Sequence, residues 1–274
     1  MTGAGSPAGV VEPGRPIAAP GFATKHPALW RALLTVGRHR RAGHDRQLWA
    51  DVDWEQLRAH VGIGRRVGAW QVRAVHAGAD DASAWIAAAE EMPHQPGWYT
   101  ALVHDERGVV MSDLRAELAG CLPVLRRATG RVLVSGLGLG IVPAAVLRRP
   151  DVTSVDVVEL DEQVIDLVAG DPAARDSWAA DPRLHVHHGD AHRFTWPPGT
   201  RWDVAWHDIW DTITPGNLAS MAHLHRRYGH RVGWQGSWEH AECVAMRRRH
   251  QSIDRAAVLD RLSGAGFDDL GQAS

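Results

Sequence analysis

Gly136-Leu-Gly138-Leu-Gly140 follows an apolar run, Arg131-Val-Leu-Val-Ser135, and opens a helical pattern from Ile141 to Arg148. A glycine turn between a buried strand and a helix brings backbone amides close to a ligand, with no Cβ in the way. On either side of it the texture alternates. Val155 to Leu160 reads as a strand, Asp161 to Ala169 as a helix, Leu184 to His188 and Trp202 to His207 as strands, and Asn217 to Tyr228 as a helix. Alternation of this kind predicts an α/β fold, a doubly wound, mostly parallel sheet with helices on both faces.

In such a sheet the carboxyl ends of the strands open onto one crevice, where ligands of this fold class bind. Glu159 ends the second strand, about 20 residues past the turn, where an acid takes both hydroxyls of a ribose. Asp190 follows the third strand in His188-Gly-Asp-Ala191, placed to accept from an adenine amine, and Asp208 ends the fourth. The dinucleotide pattern Gly-x-Gly-x-x-Gly requires glycine where this chain has Ile141. An acidic crevice also suits an adenosyl sulfonium better than a pyrophosphate.

Ahead of this region, residues 1–22 are rich in Gly, Ala and Pro and read as a disordered leader. Residues 23–96 read as an N-terminal helical region, with helical patterns at Pro27 to Arg41, Trp54 to His60 and Asp81 to Glu91. Residues 97–274 form the ligand-binding α/β domain. It is entered by a β-hairpin between Trp98 and Met111 around Asp105-Glu-Arg107, then a helix from Asp113 to Ala128 with Asp113 as its N-cap. A last helix is expected from Ile253 to Gly264.

A formal net charge of −2 gives no long-range field for a polyanion, so nucleic acid is not an expected partner. No apolar run approaches the ~20 residues that span a bilayer, and no signal peptide starts the chain. Cys121 and Cys243 are in no metal or redox spacing and read as reduced thiols of a cytoplasmic protein. No metal site is expected. His185 and His187 share one strand face while His188 takes the other, and His223 and His225 are two apart on a helix. A homodimer stays open.

Val132-Leu-Val-Ser-Gly-Leu-Gly-Leu-Gly140, Val157-Val-Glu-Leu-Asp-Glu-Gln-Val-Ile165, Gly189-Asp-Ala191 and Trp202-Asp-Val-Ala-Trp-His-Asp-Ile-Trp-Asp211 resemble the Rossmann-like fold of class I S-adenosylmethionine-dependent methyltransferases, within it the spermidine-synthase-like branch. The resemblance covers roughly residues 97 to 215. It implies S-adenosylmethionine as cofactor. Gly136, Gly138 and Gly140 would wrap its methionine part, Glu159 with the adjoining Leu160 its ribose, and Asp190 with Ala191 its adenine. Asp208 would border the cofactor and accept a proton from an attacking amine, with Asp211 anchoring a cationic substrate. Two nearby carboxylates suit that role, because like charges raise one pKa.

The branch's fourth strand ends in Asp-x-x-Asp-Pro; here Asp208-Ile-Trp-Asp211 is followed by Thr212. The branch's glycine loop also carries an aspartate for the free amine of a decarboxylated cofactor, and its place is Leu139. That departure favours the intact cofactor and methyl transfer to a small-molecule nucleophile. Aminopropyl or aminocarboxypropyl transfer, or internal ring closure, releasing methylthioadenosine, is the alternative; a non-catalytic adenosyl-binding protein is a third reading. Tyr99, Asp113 and Glu117 lie where the branch's hairpin and helix meet substrate. Trp206, Trp210, Trp234 and Trp238 are candidates for one aromatic wall.

Overall fold

The structure, a computed structural model, describes residues 52–77 and 96–249. The expected leader, the helices at Pro27 to Arg41 and Asp81 to Glu91, and the final helix from Ile253 lie outside the described residues.

The described chain opens with one 3-10 turn, Glu55–Leu57, where a helix from Trp54 to His60 was expected. An antiparallel sheet follows, in place of a purely helical region: β1 (Arg66–Val67), β2 (Trp70–Ala77), β3 (Gly97–His104) and β4 (Gly108–Ser112), paired in that order. The reason is visible in β2, where Trp70 and Val72 are buried between the less buried Gln71 and Arg73. That is period two, not a helical repeat. β3 and β4 form the expected hairpin.

α1 (Arg115–Arg127) leads into the second sheet. Asp113 is not its N-cap; no side chain caps that helix, and Asp113 faces inward instead. Then come β5 (Gly130–Ser135), α2 (Ile141–Leu147), β6 (Val152–Glu159), α3 (Glu162–Val168), β7 (Leu184–His188), β8 (Trp202–His207), α4 (Asn217–Tyr228) and β9 (Val232–Ser237). A helical run over residues 240–249 closes the described chain.

β5 to β9 make a wholly parallel sheet of order β7-β6-β5-β8-β9. Val132, Leu133 and Val134 of β5 are buried on both faces, as strands of a covered parallel sheet are. One face packs on Leu118, Val124, Leu139 and Leu167; the other on Trp196, Trp202, Leu224 and Tyr228. Strand order reverses between β5 and β8, so a crevice opens at their carboxyl ends.

The antiparallel sheet is part of the same core, since Trp54, Trp70, Val72 and Leu102 belong to the buried cluster that holds Val134 and Val157. Polar ties reinforce the seam. The Trp70 indole donates to Asp161, the N-cap of α3, at 2.7 Å, and Ala69 N–H donates to Gln163 Oε1 at 3.1 Å.

Candidate functional site

A cleft of about 740 Å³ lies at the carboxyl ends of β5, β6, β7 and β8, beneath the β3–β4 hairpin. Gly136 and Gly138 border it with φ of +94° and +51°. Gly136 is demanded by the protein itself, because a Cβ there would lie 1.9 Å from the Asp208 carbonyl oxygen. The glycine lets the tip of β5 touch the tip of β8. Gly140, expected to wrap a ligand, does not border the cleft; it is the N-terminal flank of α2 and packs against Trp178.

Glu159 ends β6 with its carboxylate held by two amides. Leu137 N–H donates to Oε2 at 2.7 Å and Asp161 N–H to Oε1 at 3.0 Å. Each carboxylate oxygen keeps a further lone pair, enough for two adjacent hydroxyls. Leu160 is 67% exposed at the lip. Asp190 accepts His192 N–H at 2.8 Å, and Ala191, buried, lies between them. Glu159, Leu160, Asp190 and Ala191 thus border the same end of one cleft.

The inner end is acidic. Asp208, on the loop leaving β8, is enclosed on most sides and open to the cleft. Burial, then the charges of Glu117 and Glu239, push its carboxyl up to about 7. Glu117 of α1 is pushed up to about 7 as well, chiefly by burial, although its carboxylate accepts the N–H of Ser112. Cys121, one turn along α1, has its thiol raised by burial and then by Asp208, Glu117 and Glu239. Glu239 carries no sequence signal of its own. A signal exists in Gly120, inside α1, where a Cβ would meet the Glu239 carboxylate and the Trp238 indole, each at 2.8 Å. Glu239 is also held at φ +49°, sparsely populated for a side-chain-bearing residue.

Other expected residues fall elsewhere. Asp211 is no free anchor, since it pairs with Arg107 of the hairpin loop at 2.8 Å, across the cleft mouth. Arg107 also lies 4.6 Å over the Trp70 ring. Tyr99 is buried outside the cleft, under the Arg58 guanidinium. Asp113 is fully buried and accepts from Arg58 at 2.8 Å and from Thr100 N–H at 2.6 Å. The aromatic wall divides in two. Trp210 and Trp238 border the cleft, whereas Trp206 stacks on Trp234 in the core, ring centroids 6.5 Å apart. The Trp206 N–H is buried with no acceptor at hydrogen-bonding distance and reaches the Asp208 carboxyl only as a weak opposing influence. Leu139 is fully buried and offers the cleft no side chain.

His187 bonds Asp156 at 3.0 Å and His188 bonds the Leu160 carbonyl at 3.0 Å. Among the described residues no group of three His, Cys, Asp or Glu is arranged to hold a metal ion, and no helix is long and apolar enough to cross a membrane. Residues that the sequence did not single out, Trp70, Arg107, Met111, Cys121, Gln163 and His192, also border the cleft.

No protein-family model matches the chain. A stretch of 102 residues, 36% of the chain, is 36% identical to polyamine aminopropyltransferase 2 of Streptomyces coelicolor, and spans only 18% of that protein. Among solved structures, the CcbJ methyltransferase of Streptomyces caelestis is similar at TM-score 0.30 and 22% identity, over 42% of this chain and 43% of that one. The precorrin 8W decarboxylase of Methanobacterium thermoautotrophicum is similar at TM-score 0.31 and 16% identity, over 42% and 56%. The activities in those names are those of the named proteins.

Proposed function

We propose that the chain is a cytoplasmic S-adenosylmethionine-dependent transferase that methylates a small amine or a similar nucleophile. One observation carries this reading: Glu159 and Asp190 border one end of a cleft whose other end holds Asp208, a carboxyl poised near neutrality. The adenosyl end fits in chemistry, since Glu159 offers free lone pairs for a ribose and Ala191 an apolar floor for a flat base. A volume of about 740 Å³ leaves room for a second small molecule.

Bound there, S-adenosylmethionine supplies an electrophilic carbon on a sulfonium. The chain's part is placement and proton handling. Asp208, with a pKa near the working pH, accepts the proton that an attacking ammonium must lose, and Glu117 beside it shares the charge. The carboxylates of the inner end attract a cation and hold it in line. Leu139, fully buried, leaves no acid at the glycine turn to repel a cofactor carboxylate.

The second reading, transfer of a larger group with release of methylthioadenosine, draws on the partial likeness to the aminopropyltransferase and on the three-acid nest, which suits a polyamine. Mass spectrometry of the protein with candidate amines and either S-adenosylmethionine or its decarboxylated form separates the readings: S-adenosylhomocysteine accumulates from the first donor under the first reading, methylthioadenosine from either donor under the second. Neither product with any amine, while the ligand still binds, leaves a non-catalytic binder. The adenosyl assignment is tested by titration calorimetry of Glu159→Ala and Asp190→Ala, each expected to weaken binding by about 1–3 kcal/mol. Unchanged affinity in both removes it.

A further inference from the structure

The hairpin over the cleft has an irregular register. Leu102 of β3 pairs with Met111, but Val103 pairs with Val109, so Val110 is an extra residue in β4. Bulges of this kind bend a strand and re-aim its side chains. Neighbours in a regular strand point to opposite faces; here Val110 and Met111 both border the cleft.

Met111 ends on the glycine turn. Its Sδ accepts the N–H of Leu139 at 3.3 Å, and a Cβ on Gly138 would lie 2.4 Å from it. The neighbouring N–H of Leu137 is already committed to Glu159. The Leu139 amide is therefore held by a thioether, a weak acceptor, at the end of an unbranched chain with three rotatable bonds. A carboxylate makes a shorter and stronger bond to a backbone N–H. The contact is one that the protein can surrender.

We propose that Met111 is a specificity-determining residue, a displaceable occupant of the glycine turn. It holds the Leu139 amide until a ligand with an anionic amino-acid arm replaces it. Ligands without that arm bind with Met111 in place. This rests on the adenosyl reading of the cleft and adds to it what the hairpin selects. In a regular hairpin Met111 would follow the strand alternation; the extra residue Val110 delivers it to the turn.

The test compares S-adenosylhomocysteine, which carries the arm, with methylthioadenosine, which lacks it, by titration calorimetry on the full chain. In Met111→Ala the arm-bearing ligand no longer has to turn a side chain out. The ratio of its affinity to that of methylthioadenosine rises about threefold to tenfold, the equivalent of the one neutral hydrogen bond that the unaltered protein must give up to admit the arm. Methylthioadenosine itself changes by less than about twofold. Met111→Leu keeps the bulk and removes the acceptor, and its ratio rises by a smaller factor. An unchanged or lowered ratio in Met111→Ala overturns the proposal. So does a Met111→Leu ratio equal to that of the unaltered protein, which would leave bulk alone as the cause. Should the unaltered protein bind neither compound, the adenosyl reading itself fails and the inference goes with it.

Discussion

Asp208 and Glu117 sit where a fold selected for stability alone would place apolar side chains. Each is raised to about 7 from ordinary carboxylate values, mainly by burial, with the other's charge or that of a neighbouring acid adding to it. A carboxyl with a raised pKa favours the native state while it is protonated. Its contribution is complete below about pH 4 and is lost as pH rises through about 7. Asp208→Asn keeps the shape and removes the titration. We expect the variant to melt about 2–8 °C above the unaltered protein at pH 8, for about 1–2 kcal/mol, with the difference closing towards pH 4. Activity should fall in the same variant. Scanning calorimetry at both pH values checks this; equal melting at pH 8 would mean that Asp208 carries no burial penalty. Sacrificing stability at one side chain for a proton acceptor in a cleft is what active sites do.

The hairpin loop and the loop after β8 meet through one exposed pair, Arg107 with Asp211, and Arg107 rests on Trp70. Exposed pairs contribute little to stability, about 0–1 kcal/mol. This pair nevertheless lies across the cleft mouth, so its effect belongs to ligand exchange. Arg107→Ala should leave the melting temperature within about 2 °C and speed release of S-adenosylhomocysteine about threefold or more, read by stopped-flow fluorescence. Release at the original rate would show that the pair does not gate the mouth. The central parallel strands β5, β6 and β8 were legible in the sequence because burial on both faces leaves apolar runs; β8, α4 and the edge strand β7, which is not buried, have the expected bounds. Glu159, Asp190 and Asp208 followed, since strand ends in a parallel sheet converge. β9 was not legible. Its two glycines weaken the strand pattern, and they are there because Cβ atoms would press on the Asp203 carbonyl and on the Trp206 and Trp234 rings. Tyr99 lies three residues from Leu102, hence on the opposite face of β3, and only the observed pairing decides which face meets the cleft. Asp113 looked like a cap by residue type; its partner Arg58 is 55 residues away, beyond any local pattern. Met111 needed the bulge.

Across the described residues, two sets of buried or half-buried groups oppose each other as pH changes. Burial lowers the His207 ring to about 4 and lowers His192 and His225 too. A base with a depressed pKa stabilises the fold above its ordinary 6.5, and that contribution is lost as pH falls through the native value. Between pH 6.5 and 4 the histidines therefore weaken the fold while the acids strengthen it. The unaltered protein should show urea midpoints that vary little over this range. In a Glu117→Gln, Asp208→Asn double variant the midpoint should drop steadily with acid, by about 0.5 M or more. Parallel curves for the two proteins would refute the compensation. The shared core has a last consequence. The cleft walls come from two sheets, with Trp70, Leu102, Arg107 and Met111 on one side and the tips of β5 to β8 on the other. Arg107 and Asp211, which meet across the opening, are 104 residues apart in the chain. A guest seated there would work as a rivet through two leaves, so that its arrival and departure also set how firmly the protein is fastened together.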